Sequence, residues 1–271
     1  MNRTPPVEVR RRLRAEVCYV CAVPGCNSPY LTYHHFDPPW SEKQHHNLEG
    51  MIALCEHHHN EADVGTYTCD QLYKFKREAA VTEVRGNVNW RREKTIFRAG
   101  TCLFVSSDVV LYSRGKRLVW LSKSQEGFDL LNLDLFTPGG ELLFQMREHD
   151  WLLLPPVQDF EAQPHGHSID VRSDPNGVRL KLTFRGFHWG ELGNLIGSTR
   201  WEADIGNALG LKAGDEVQLC DMTGKMRYPS HFHFTPTKMK VGSNTFVECF
   251  WAHEPLGIEA EDGEAHVVAG G

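Results

Sequence analysis

Two hydrophobic periods divide the chain. Residues 178–184 (VRLKLTF) alternate apolar and polar without a break, and Leu131, Leu133 and Leu135 alternate with Asn132 and Asp134. A period of two marks strands with one buried face. Pro138-Gly139-Gly140 turns the chain from the second of these runs into an apolar stretch at 141–146, which predicts a hairpin. Further short strands are expected at 101–105, 108–112, 117–121, 151–154, 216–220, 231–234 and 245–251. Asp174-Pro175-Asn176-Gly177 and Thr223-Gly224-Lys225 supply turns between some of them. From about residue 101 the chain therefore reads as mostly β, a sandwich or an irregular barrel. The acidic tail from Glu259 ends in glycines and reads as frayed.

The first hundred residues follow a different pattern. Residues 5–16 (PPVEVRRRLRAE) read as a short basic helix with proline in its first turn. Residues 30–36 (YLTYHHF) read as a strand that Asp37-Pro38-Pro39 ends, and 51–54 as a second strand after a polar loop. A short helix over 55–63 ends at Gly65. Thr68 and Gln71 have capping-box spacing at the start of a further helix reaching about Glu83. Residues 85–98 (RGNVNWRREKTIFR) read as a basic linker. The expected fold is α+β: a small unit over 1–84, a linker over 85–100 and a mostly β domain over 101–271.

Composition narrows the class. Of 271 residues, 41% are hydrophobic and 24% charged, as in a soluble globular protein. The apolar runs are too short for a membrane helix, and the basic N-terminus lacks the apolar core of a signal peptide, so a cytoplasmic protein is expected. The net charge of −6 is uneven. Residues 1–100 hold 14 Lys+Arg against 12 Asp+Glu, and the remainder 15 against 23. The acidic second part is a poor candidate for nucleic acid, whereas the first carries basic clusters: Arg10, Arg11, Arg12 and Arg14, then Lys74, Lys76 and Arg77.

The candidate chemistry is concentrated in residues 18–63, which hold four of the eight cysteines and seven of the fifteen histidines. Cys and His are the ligands zinc prefers, and their clustering argues for thiolate ligands in a reducing compartment. Cys21, Cys26, Cys55 and His58 form one tetrahedral set; Cys18 with Cys21 offers the more familiar CxxC spacing for a competing one. Cys55 and His58, three apart, share a helix face. On a helix His58 and His59 point about 100° apart, and on a strand His34 and His35 point to opposite faces, so each pair has two jobs to fill. His59 and Asp63, four apart, share a face able to hold a second cation. In the second part, His165, His167, His188, His231 and His233 read as ordinary β-domain histidines, because no partner has diagnostic spacing.

The strand ending His34-His35, the polar loop, the apolar strand ending Leu54-Cys55, the CysxxHisHis helix, Ala62-Asp63 and the capped helix beyond it resemble the HNH endonucleases of the ββα-metal finger type, over roughly residues 10–80. The resemblance implies a zinc-stapled ββα unit that hydrolyses DNA, double-stranded ahead of single-stranded. It implies His35 as general base, with His34 as its exchangeable neighbour, and His34, His59 and Asp63 around a catalytic Mg²⁺ or other divalent ion. Cys21, Cys26, Cys55 and His58 become the structural zinc set, and the basic clusters become phosphate contacts. The family's central Asn is missing: Gly50 occupies its usual place, with Asn47 as the expected substitute and His45 and His46 as stand-ins. An inactive zinc-stabilised nucleic-acid-binding module and an RNA-cleaving nuclease are the alternatives. Residues 101–271 are expected to supply specificity, regulation or a homodimer contact, and no membrane partner is expected.

Overall fold

The structure is a computed structural model describing residues 2–80, 83–154, 157–163, 166–173, 177–197, 199–247, 249–252, 256–261 and 264–269, with only the backbone for Trp251 and for the last two segments. Helix α1 (Val7–Glu16) leads into strands β1 (Leu31–His35) and β2 (Met51–Cys55), which form an antiparallel hairpin. Helices α2 (Glu56–Asp63) and α3 (Cys69–Glu78) follow. The Thr68–Gln71 capping box is present in both directions. All of β2 is buried, and with Leu13, Val17, Phe36, Ala62 and Leu72 it forms a separate small core.

The rest is built from strands β3 (Val84–Asn87), β4 (Thr95–Ala99), β5 (Cys102–Val105), β6 (Val109–Ser113), β7 (Lys116–Lys123), β8 (Asp129–Phe136), β9 (Leu142–Arg147), β10 (Asp150–Leu153), β11 (Asp159–Ala162), β12 (Ser168–Arg172) and β13 (Arg179–His188). Helices α4 (Leu192–Ile196) and α5 (Glu202–Leu209) interrupt them. Then come β14 (Glu216–Met226), β15 (Phe232–Thr235), β16 (Lys238–Val241), β17 (Asn244–Phe246), β18 (Phe250–Ala252), β19 (Leu256–Glu261) and β20 (Glu264–Ala269). Among the described residues these form an eight-stranded sheet in the order β20-β19-β6-β7-β8-β9-β10-β3, and a ten-stranded sheet whose main path is β11 to β17. One apolar core draws on both, including Leu133, Phe144 and Trp151 from the first and Phe97, Phe160 and Phe232 from the second. Helices α4 and α5 cover a separate core on the ten-stranded sheet, around Leu192, Ile205 and Val217. The architecture is α+β with mostly antiparallel sheets, as the alternation predicts.

Two expectations are corrected. The basic linker is not a linker: β3 pairs with β10, and β4 lies parallel to β14. Val88, Ile96 and Phe97 are buried within that segment, and the basic residues between them outweigh so few apolar positions in a local reading. The acidic tail is not frayed either, because β19 and β20 pair with each other and β19 adds in parallel to β6. Asp174, Pro175 and Asn176 of the expected turn lie outside the described residues.

Candidate metal centre

The hairpin and helix α2 converge on two donor clusters. Pro24-Gly25, with Gly25 at φ +81°, turns the chain between Cys21 and Cys26. Cys55 ends β2 and caps α2, so His58 follows one helical turn later. The donor atoms of Cys21, Cys26, Cys55 and His58 all lie within 4.8 Å of one another. Cys26 Sγ is 3.7 Å from Cys55 Sγ, and His58 Nδ1 is 3.3 and 3.2 Å from the Cys21 and Cys55 sulfurs. A tetrahedral ion with metal–sulfur bonds of about 2.3 Å and metal–nitrogen bonds of about 2.0 Å has edges of about 3.5–3.8 Å, close to these separations. The donor set can therefore hold a metal ion such as zinc. Burial pushes the Cys21 and Cys26 thiols up, a cost that cation binding reverses. The competing CxxC set is not assembled: Cys18 Sγ sits 3.6 Å from the Ala79 carbonyl instead. The other nitrogen of His58 faces Glu61 at 3.9 Å, and Glu61 accepts from Tyr67, whose phenol is pushed to about 12 by burial and this carboxylate.

The second cluster is His34, His59 and Asp63. Asp63 presents one oxygen 3.2 Å from His34 Nδ1 and the other 3.4 Å from His59 Nδ1. The two imidazoles meet edge to face. His34 Nδ1 is buried and, among the described residues, has no well-directed hydrogen-bond partner, so the trio fits a small cation. Burial, then His59, holds the His34 pKa below its ordinary value, which keeps a lone pair available. Arg3 lies 3.8 Å from Asp63, a contact the sequence did not suggest.

His35 is buried beside this trio and shares a cleft of about 360 Å³ with His34 and Asp63, bordered also by Arg3 and Trp40, while His59 lines a neighbouring groove. Its Nε2 is 3.5 Å from His46 Nδ1, and its ring packs against Trp40 at 4.7 Å and His45 at 5.3 Å. Burial, reinforced by His45 and His46, lowers its pKa to about 4, so the ring is neutral near pH 7. His45 Nδ1 accepts from the Asn47 N–H and its Nε2 donates to the Pro38 carbonyl, pinning the loop across its width. Asn47 itself is exposed, and its side-chain oxygen accepts from the Glu49 N–H. It does not face His35, which corrects the expected substitution; the loop-fixing contacts belong to His45.

No family model, curated protein or solved structure matches the chain.

The basic clusters divide. Arg14 is buried and grips Asp159 through Nε and Nη2 at 2.8–3.1 Å. Arg10 pairs with Glu161 and Arg11 with Asp159, so three of the four α1 arginines hold β11 instead of a free phosphate surface. Lys76 donates to the Met51 and Leu48 carbonyls and pairs with Glu16. Only Arg12, Lys74 and Arg77 of the expected seven are exposed. The misreading has a simple cause: charge composition does not show which cations meet a distant carboxylate. Among the described residues no group of three or more metal-ligating side chains comes together in the β part; His165 lies outside the described residues.

Proposed function

We propose that the chain is a metal-dependent endonuclease of the HNH type that hydrolyses DNA phosphodiester bonds. The observation that carries this reading is the assembled His34–His59–Asp63 trio, two of whose members, His34 and Asp63, line the same cleft as a neutral, buried His35. Cys21, Cys26, Cys55 and His58 would hold a structural zinc that staples a unit with little core of its own. His34, His59 and Asp63 would hold Mg²⁺ or another divalent ion. Such an ion, when bound, supplies positive charge to a phosphate and its leaving oxygen.

The remaining work falls to the protein. His35, neutral and lining the cleft, would be the group that takes a proton from water. His46 and Trp40 hold the ring against rotation, and a base that keeps one geometry loses little to reorientation. Arg3 stands at the cleft mouth, where a phosphate can displace it from Asp63.

Purified protein should nick or linearise plasmid with Mg²⁺, Mn²⁺ or Ni²⁺, and chelator should stop it. His35→Ala should lower the rate by about 10²–10⁴ with circular dichroism and zinc content unchanged. A folded, zinc-loaded wild type that cuts with no metal tested would favour the second reading, a silent nucleic-acid-binding module. Gly50 at the family's Asn position is the observation behind that alternative. Cleavage of single-stranded RNA in place of plasmid would reassign the substrate.

A further inference from the structure

The outward face of the ten-stranded sheet carries an arrangement that folding alone does not explain. Arg172 on β12 stands opposite Arg179 on β13, Arg179 opposite Lys225 on β14, Lys225 opposite His233 on β15, and His233 opposite Lys240 on β16. Opposed residues share a face, and the neighbours Val171, Leu180, Met226, Phe232, Phe234, Met239 and Val241 are buried on the other. Five basic side chains thus stand in one row across five strands. Like charges directly opposite each other destabilise a sheet, and this row lies in a part of the chain with an excess of carboxylates.

Asp170 offsets one end of the row through Arg172 at 2.7 Å and Arg179 at 3.1 Å. Among the described residues Lys225 and Lys240 have no carboxylate at ion-pair distance. His233 feels the crowding: burial and then Lys225, Lys240 and Lys238 lower its pKa. A recess of about 570 Å³ opens here, bordered by Arg11, Arg172, Arg179, Lys225 and His233, with no carboxylate among its described lining residues.

The position of the row links it to the metal centre. Its Arg172 end pairs in register with Asp159, the residue that α1 grips. Arg3 borders both the metal cleft and a second groove, where His59, Arg10 and Glu161 also lie. That groove reaches β11 two residues from Asp159. At about 4.8 Å per strand the row spans about 19 Å, a little over half of a duplex turn of about 34 Å.

We propose that this cationic row is a docking track for the phosphodiester backbone of duplex DNA, holding the strand whose scissile bond lies in the metal cleft. The proposal rests on the nuclease reading for its ligand. It replaces Arg10, Arg11 and Arg14 of α1, which are committed to Asp159 and Glu161, as the main phosphate contacts.

The test is fluorescence anisotropy of a labelled 30-base-pair duplex on full-length His35→Ala protein, without chelator, from 50 to 300 mM salt. Each phosphate contact contributes about 0.9 to the slope of log K against log salt. Adding Lys225→Gln and Lys240→Gln should make the slope shallower by about 1.8 and weaken binding at 150 mM salt by about tenfold or more. A control lacking Lys116 and Arg117 of the other sheet should leave both unchanged. Lys225→Glu with Lys240→Glu should weaken binding further, and reads the same contacts if the glutamine pair folds poorly. An unchanged slope, or no duplex binding by the parent, would overturn the track. So would displacement of the duplex by micromolar nucleotide or pyrophosphate, which would assign the recess to a small anion. Plasmid cleavage by a His35 protein carrying the glutamine pair, at saturating concentration, is read separately; its presence keeps the nuclease reading whatever becomes of the track.

Discussion

Gly50 shows how a single residue reshapes the site. A Cβ there would sit 1.7 Å from the Asp37 carbonyl oxygen. The Gly50 carbonyl meanwhile accepts from the Phe36 and Asp37 N–H groups, closing the hairpin just past His35. An Asn at this place, as HNH endonucleases carry, therefore cannot be accommodated by this backbone, and His45 fixes the loop from the other side. Gly50→Asn should not restore anything. It should cost at least about 3 kcal/mol through overpacking against rigid backbone, read as a lower urea midpoint and loss of cleavage. A Gly50→Asn protein that folds as well as wild type and cuts faster would show that the loop is free to rearrange and that His45 is dispensable.

At the scale of elements, the donor clusters stand on one Pro-Gly turn, one short hairpin and one two-turn helix. Cys55 serves as the last residue of β2, the cap of α2 and a member of the quartet. If the quartet holds zinc as proposed, Cys55→Ser should lose the metal and unfold the N-terminal unit together, whereas His58→Cys keeps four donors and should keep both. Atomic emission for zinc with far-ultraviolet circular dichroism decides it; a zinc-free Cys55→Ser protein that remains folded would mean that the core around β2 suffices without a metal. This local level was legible in the sequence. Residue spacing paired Cys55 with His58, His59 with Asp63 and Thr68 with Gln71, because helix geometry acts over three or four residues; it left the quartet open against the Cys18 set, and His34 joined the trio through the resemblance. Long-range pairing was not legible. Strand β4 is a strand because β14 lies parallel to it more than a hundred residues later. Helices α4 and α5 have Gly193 and Gly206 in their interiors, which weaken any local helical signal. His45 was visible as half of a histidine doublet, but its grip on Pro38 and Asn47 depends on the loop's path.

For the whole molecule, the decisive contact is the one that converts two cores into a joined body. Arg14 and Asp159 are each 2% exposed, and Tyr33 and Glu161 complete the cage around the guanidinium. Burial opposes the charge on Arg14, but Tyr33, Glu161 and Asp159 together raise its pKa, so it remains a cation. Tyr30 adds a strand bridge to Ala162 and a hydrogen bond to the Asn87 carbonyl. Removing one partner of a buried ion pair costs about 3–5 kcal/mol, because the other is left charged and dry; Glu161 at 3.5 Å places this pair toward the low end. Asp159→Ala should split the calorimetric unfolding of the full chain into two transitions, the small core separating from the sheets, and should loosen the path from the metal cleft to the cationic row. Arg14→Met with Asp159→Leu removes both charges and should recover most of the loss, since apolar replacements of a buried pair are often neutral. If Asp159→Ala alone unfolds in a single transition at the wild-type temperature, the two cores are coupled instead by Tyr30 and by Tyr19, which packs edge-on to Phe160 and donates to the Gln158 carbonyl, and the ion pair is not what joins them. If the double replacement restores stability but not DNA affinity, the charges at this seam act on the ligand as well as on the fold.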